Sequence, residues 1–470
     1  MREKLLIIAC ILLAACNKQL DLAPEDTLVE KDVFKTEAGA DQALSEAYYN
    51  LSKAITGGIA YSFGDFTTDN LKRSSYYETW NNADVTPADD QVKGIWQGYY
   101  SAINTANNII FNIPGYGKFD QSKQDQFIAE AKFIRAFAYL DLLRFFGAGA
   151  LTGDMNGLGL PLQLTPFQGY NTGEVIPRSS NADVYAQITK DLREAIQSLP
   201  DNHSNDLKTR SRATKGSANA LLARALLYAR KYSEAAEAAK LVIDKTSIYS
   251  LTANLLQLFP SNSGGTAQTL TPEYVFAFPI SQMVSSSTSA NNNLGNAYFY
   301  KRSFWINPDF ISKFETGDTR VSQLMFKGDT IYNTDRFQDR TTFKFNNPNG
   351  RDNVPLIRLA EVMLIRAEAL ARTNGVNSES VQILNAIRSR SVPGATAYTT
   401  NSFNTGGDLL KKIMEQRRFE LAFEGFYRYD LIRDNQPLRV PDVPQNKKTL
   451  PIPQIEIDIS HGLIQQNPGY

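Results

Sequence analysis

The sequence predicts a mostly α-helical protein in which paired helices form a repeat scaffold and long irregular loops build a ligand-binding site. Three observations predict it. Nine stretches carry apolar residues at helical spacing, and each is too long for a buried strand. Two pairs of these stretches set small residues where antiparallel helices must approach closely. Between the helices run long segments without periodicity, rich in Asn, Ser, Thr, Gly and aromatic residues.

Residues 1–15 read as an export signal. Arg2 and Lys4 precede an apolar run over 5–14, which is shorter than the about 20 residues a bilayer span requires. Small residues Ala14 and Ala15 then precede Cys16. The stretch Leu13-Ala14-Ala15-Cys16 resembles a bacterial lipoprotein box, which implies lipidation at Cys16. The chain has 2 Cys, and the other, Cys10, lies inside the signal. The body after Cys16 therefore has no disulfide framework, zinc ribbon or thiol nucleophile, and lipid attachment is the evident use of Cys16. Residues 16–36 read as a lipidated tether, and 37–470 as a single helical domain.

The first helix is expected over 38–54, where Ala43, Leu44, Ala47 and Leu51 share a face. Others follow at 90–112, 122–146, 181–198, 214–230, 233–245, 355–373, 378–390 and 408–424. Asn181 and Asp183 supply start signals for one, and Ser233 before Glu234 for another. In the pair 214–245, Leu222, Ala223, Tyr228, Tyr232, Ala235 and Ala239 allow close helix contact across a turn at Arg230-Lys231-Tyr232. That pair resembles a tetratricopeptide unit. The pair 355–373 and 378–390 shares the habit through Ala360, Ala367, Ala371 and Ala386.

The segments 57–88, 147–177, 247–350 and 391–407 lack periodicity. Loops longer than about 15 residues are uncommon in compact proteins and are usually functional or disordered. Aromatics make up 11% of the chain, with 22 Tyr and 26 Phe, which favours order over disorder. Hydrophobic residues are 42% and mean hydropathy is −0.32, as expected of a water-soluble body. The formal net charge is +0, and removing Arg2, Glu3 and Lys4 with the signal takes away one positive unit. No basic field exists for nucleic acid.

Several motifs, in order along the chain, resemble the SusD/RagB family of outer-membrane lipoproteins. They are Ile95-Trp96-Gln97-Gly98-Tyr99-Tyr100 leading to Asn104-Thr105-Ala106-Asn107-Asn108, and Glu130 to Ala136 followed by Tyr139 and Arg144-Phe145-Phe146-Gly147. Arg358-Leu359-Ala360-Glu361 with Arg366-Ala367-Glu368, and Asn385 to Arg390, come next. The run from Glu415 through Glu420-Leu421-Ala422-Phe423-Glu424-Gly425 to Arg433 is the clearest, and the ending Gln466-Asn467-Pro468-Gly469-Tyr470 also matches. Gln416 departs from the pattern, standing where glutamate is expected. The resemblance implies a SusD-like fold, an oligosaccharide ligand contacted by loops, and a partner: a SusC-like TonB-dependent transporter over which the lipoprotein sits as a lid. A peptide ligand is the alternative within the family.

No catalytic motif emerges from the residues. The 2 His, His203 and His461, have no motif around them, and Gly264-Gly265 lacks the Lys-Ser/Thr of a phosphate loop. Carboxylate pairs of a glycoside hydrolase need not be close in sequence, so that class stays open. Glu361, Glu368, Glu415, Glu420 and Glu424 could serve as such carboxylates, or could pair with Arg358, Arg366, Arg417, Arg418 and Arg428 between packed helices. Burial favours pairing, and three- and four-residue spacing puts Glu361 near Arg358 and Glu424 near Arg428. No cofactor or metal is expected, although Asp/Asn-rich loops leave calcium open.

A binding site is better supported. Sugars present apolar C–H faces and hydroxyl edges, so a receptor needs flat rings flanked by amides, carboxylates or arginine. The loop 61–82 offers Tyr61, Phe63, Asp65, Asp69, Asn70, Arg73, Tyr76, Tyr77, Trp80 and Asn81, and a second loop offers Tyr298, Phe299, Tyr300 and Trp305. Of these, Asn70, Arg73, Tyr76, Tyr77, Trp80, Tyr300 and Trp305 are the expected ligand contacts, and Trp96 is expected in the core.

Overall fold

Side-chain caps mark where the scaffold helices begin. Thr36, Asp89 and Asp120 accept from backbone N–H groups of α1 (Glu37–Thr56), α2 (Asp90–Tyr116) and α3 (Gln121–Phe146). Ser180 and Asp183 form a capping box on α4 (Asn181–Ser198), and Thr214 and Ser217 form one on α5 (Lys215–Tyr228). Helix α6 (Tyr232–Ile243) has no side-chain cap, so Ser233 does not play the role its sequence position suggested. Arg230 turns the chain between α5 and α6 with a left-handed φ of 60°. Then come α7 (Leu359–Asn374), α8 (Ser378–Ser391, capped by Asn377) and α9 (Gly406–Glu420, with a Thr405–Asp408 capping box). Each cap is worth about 1 kcal/mol.

This computed structural model describes residues 30–57, 59–167, 175–260, 269–280, 294, 298, 304–327, 340–347, 352–439 and 442–470. Helices α1 to α7 each pack on the next, and α7 also takes α8 and α9. The result is the expected tetratricopeptide-like array. Its main core includes Tyr99, Phe133, Tyr139, Phe145 and Tyr228, together with Trp96 as expected. A second core of Ala360, Leu364, Leu384, Ile387, Leu409 and Ile413 joins α7, α8 and α9. Among the described residues no helix is long and apolar enough to cross a membrane.

Insertions interrupt the array, and short strands brace them. Strand β1 (Leu158–Pro161) pairs antiparallel with β2 (Arg178–Ser180), β3 (Tyr274–Phe278) with β6 (Val354–Arg358), and β4 (Met325–Lys327) with β5 (Arg340–Thr342). Residues 355–358 were expected to open a helix but lie in β6. Pro355 suits neither an α-helix interior nor a central strand, and a two-stranded ladder tolerates it. Helix α9 stops at Glu420 instead of reaching 424, because Phe423 and Gly425 adopt left-handed φ values of 68° and 81°. At the other end, residues 30–36 are docked where a tether was expected. Glu30–Val33 is helical, Phe34 is buried, and Lys118 N–H donates to the Lys35 carbonyl.

Candidate functional site

The first insertion starts with a tight connection to the far end of the chain. Asp65, in the turn Phe63–Phe66, is buried, and its carboxylate accepts from the backbone N–H of Phe423 (3.0 Å) and Gly425 (2.7 Å). Asn70 Nδ2 donates to it at 3.1 Å. Burial pushes the Asp65 carboxyl up to about 6, against the pull of Asn70 and the two backbone donors. Gly64 lies so close to this turn that a Cβ would stand 2.1 Å from the Gly425 oxygen.

The same insertion is zipped to the loop that precedes Asn307. Lys72 N–H donates to the Trp305 carbonyl at 2.8 Å, Asn307 N–H donates to the Asn70 carbonyl at 3.0 Å, and Leu71 and Ile306 form an antiparallel bridge. Three rings lock across the seam. Phe66 and Tyr77 stack at 4.7 Å, Phe66 and Phe304 at 5.3 Å, and Tyr77 and Phe304 at 5.2 Å. Such offset ring contacts add about 0.5–1.5 kcal/mol each beyond area burial. The two loops singled out from the sequence are therefore one structural unit.

The expected contacts divide by burial. Arg73 is exposed and donates to Asn82 Oδ1 at 2.8 Å, while Tyr77 and Trp305 are half-buried. These three surround the seam. Asn70 is 0% exposed, with its amide on Asp65 and its Oδ1 accepting from Arg418 Nε at 2.8 Å. Both its ends are used, which takes Asn70 out of ligand reach in this arrangement; it holds the loop instead. Trp80 is 7% exposed and meets Phe63 edge to face at 5.6 Å, so it packs inside the insertion, against a ring that in turn meets Phe145 of α3. The Tyr76 side chain and all of Tyr300 lie outside the described residues, as does Cys16.

Residues distant in sequence complete the unit. Arg418 lays its guanidinium over Phe310 (4.7 Å) and Tyr427 (4.1 Å), and Phe304 and Phe66 form the platform behind Tyr77. Arg418 was read as a motif arginine for pairing with glutamate, and no spacing rule would have sent it to Asn70. Asp65 stood among the loop's polar residues, but its role as a clasp depends on a backbone turn near residue 424.

Four of the five motif carboxylates are paired inside the protein, and Glu361 and Glu424 take partners other than the helical neighbours expected for them. Glu361 receives a bidentate Arg224 (both contacts 2.7 Å) rather than Arg358. Arg358 closes β6 and donates to Glu424, Glu273 and Glu420. Lys344 and Arg390 join that cluster through Glu424 (2.6 Å) and through Glu273 and Glu420 (2.6 Å each). Gln416 accepts from Arg320 here at 3.1 Å. Arg428 instead donates to the Lys448 carbonyl and lies over Phe63. Glu368 is held by Arg433 and Arg372. Its burial favours the neutral form, but Arg433 and Arg372 prevail and hold its carboxyl at about 2. Burial opposes ionisation of Glu420 and Glu424 as well, and the surrounding cations hold both below the usual range. Groups so firmly ionised are poor general acids near neutrality. Glu415 stays near the surface with Lys412. Among the described residues no group of three or more His, Cys, Asp or Glu is arranged to hold a metal ion.

Residues 18–227 match a family model described as starch-binding associating with outer membrane, and residues 321–440 match one described as the SusD family. SusD-like protein P2 of Formosa agariphila is 26% identical over 99% of this chain and 98% of its own length. A SusD-like protein of Bacteroides ovatus is 23% identical over 92% of this chain and 82% of its own. A SusD superfamily crystal structure from Bacteroides thetaiotaomicron superposes with TM-score 0.75 at 23% identity, covering 92% of this chain and 100% of that one. A structure described as a laminarin-binding SusD-like protein gives 0.74 at 24%, covering 93% and 100%.

Proposed function

Because the chain belongs to the SusD/RagB family, we propose that it captures a nutrient oligosaccharide on the seam between its two zipped loops and delivers it to a partner TonB-dependent transporter of the SusC type. One observation carries the binding part. The Lys72–Trp305 hydrogen bond and the Phe66–Tyr77–Phe304 stack join the two loops, which supports Arg73, Tyr77 and Trp305 as one contact set along their seam. Tyr77 and Trp305 supply ring surface for a sugar's C–H face, and Arg73 supplies donors for its hydroxyls. Tyr76, next to Tyr77, and Tyr300, five residues before Trp305, belong to the same proposed contact set, while Asn70 and Trp80 support it from behind. Anchoring through a lipid on Cys16 at the outer membrane, facing the cell surface, is part of the same reading, with 37–470 as the binding domain. Delivery requires only different affinities for ligand in open and closed arrangements with the transporter.

The test is calorimetry on the chain from Lys18 onward, titrated with laminarin, starch oligosaccharides and a peptide panel. Saturable glycan binding is expected, with Tyr77→Ala and Trp305→Ala each weakening it about 10- to 100-fold, roughly 1–3 kcal/mol. Binding indifferent to both substitutions would move the site elsewhere. Binding of peptides alone would replace the oligosaccharide with a peptide cargo, and new reducing ends accumulating with purified protein would point to a glycoside hydrolase. Cys16→Ala in cells should release the protein from the membrane fraction.

A further inference from the structure

Away from the seam, an open cleft of about 350 Å³ lies between the end of α3 with its following turn (144–154), the segment 445–449 and residues 467–468. Its size falls in the range of about 300–1,000 Å³ typical of small-molecule pockets and far exceeds the about 30 Å³ of one water. None of the residues proposed for the oligosaccharide lines it.

Two of its lining residues keep a buried side-chain atom unpaired. Asn467 is 1% exposed and spends its amide on the carbonyls of Phe146 (2.9 Å) and Leu450 (2.7 Å), leaving Oδ1 with no protein donor. Arg144 gives a terminal nitrogen to Asp141 and lies over Tyr429 at 4.4 Å, leaving Nε with no protein acceptor. Both residues line the cleft, and Thr152, Gln445, Asn446 and Thr449 add hydroxyl and amide groups there, so a ligand hydroxyl, donor and acceptor at once, meets both kinds of partner.

The two cations of the lining are already matched. Arg144 has Asp141, Lys448 has Asp442 at 2.8 Å, and Asp154 accepts from Asn156 N–H. An anionic ligand would find no unmatched cation there, and a buried charge needs a partner. Leu151, Ile432 and Pro468 add a small apolar floor, while Gln445 and Asn446 are exposed at the edge. We propose that this cleft is a second binding site, for a neutral polyol or a single sugar unit, independent of the aromatic seam.

The experiment follows the side-chain amide signals of Gln445, Asn446 and Asn467 by NMR in the chain from Lys18 onward. Methyl β-D-glucoside, methyl α-D-mannoside, methyl β-D-galactoside and glycerol are titrated in turn. Saturable shifts with at least one of them are expected. Thr449→Phe and Ala148→Leu, which narrow the cleft from opposite walls, should each weaken that response about tenfold or more with the backbone spectrum otherwise preserved. The response should persist in the Tyr77→Ala/Trp305→Ala double variant. Linear drift with all four probes would leave the cleft a water site only and overturn the proposal. Saturation unmoved by both narrowing variants would overturn it equally. So would loss of the response in the double variant, which would assign the shifts to the seam.

Discussion

Replacing Arg358 by Met tests the physics that joins scaffold and insertions. Arg358 is fully buried and donates to Glu424 (2.8 Å through Nε and through Nη2), Glu273 (2.6 Å), Glu420 (3.0 Å) and the Glu420 carbonyl (3.1 Å). Four cations, Arg320, Lys344, Arg358 and Arg390, face four carboxylates, Asp318, Glu273, Glu420 and Glu424. Removing one cation leaves a carboxylate uncompensated out of reach of water. Breaking a buried pair in this way costs about 3–5 kcal/mol. Urea unfolding followed by far-UV circular dichroism, on the chain from Lys18 onward, measures the loss. The double variant Arg358→Met/Glu424→Gln restores the balance and should recover about 1–3 kcal/mol. The single variant's deficit should also shrink as the pH is lowered, because Arg358 is part of what holds the Glu424 carboxyl below its usual range. A cost below about 1 kcal/mol, or full additivity in the cycle, would show that the cluster is solvated and that charge pairing does not hold β6 to the segment after α9.

Asp65 and Asp352 are both pushed up to about 6 by burial, so the stability they confer is complete below the ordinary carboxylate value and is lost as pH rises through 6. Asp65→Asn should therefore reduce the fall in unfolding free energy between pH 4 and 7 seen for the unaltered chain; an unchanged slope would refute the Asp65 assignment. Glu368, held at about 2, works in the opposite sense: its contribution is present above the ordinary value and disappears as pH falls toward 2. Glu368→Gln should cost about 3 kcal/mol at pH 7 by urea titration, with the difference vanishing in acid. Gly64→Ala puts a methyl against the Gly425 carbonyl and should cost about 1–3 kcal/mol or more, loosening the seam and weakening glycan binding while far-UV dichroism stays helical.

The helical scaffold was legible because its signals are local. Periodicity found α1, α3 to α6 and α8 to within two residues at each end, stopped four residues short of the end of α2, and alanines at the crossings identified hairpins. The two overrun boundaries have specific causes. The helical reading of 355–358 failed because β3, some 80 residues earlier, offers that segment a partner. The reading of 421–424 failed because Asp65, some 360 residues earlier, supplies an acceptor for a left-handed turn. Ring and amide composition pointed to the two loops that meet at the seam. It could not tell which rings face outward, since Trp80 and Tyr77 are alike in composition and differ only in what packs against them. Charge pairing was expected, but the partners were misassigned, because Arg224 reaches Glu361 across 137 residues and not three.

The clasp of Asp65 on the turn at 423–425 also dictates an order of assembly. Successive scaffold helices contact their sequence neighbours, so they can dock as the chain emerges, in the manner of other repeat arrays. The seam cannot close that way. Asn70 waits for Arg418 across 348 residues, and Asp65 waits for Gly425 across 360. Closures so distant are late and slow events. A chain cut short before residue 418 would keep most of its helices and lack the contacts that hold the first insertion, so the seam closes only once the chain has been made through residue 425.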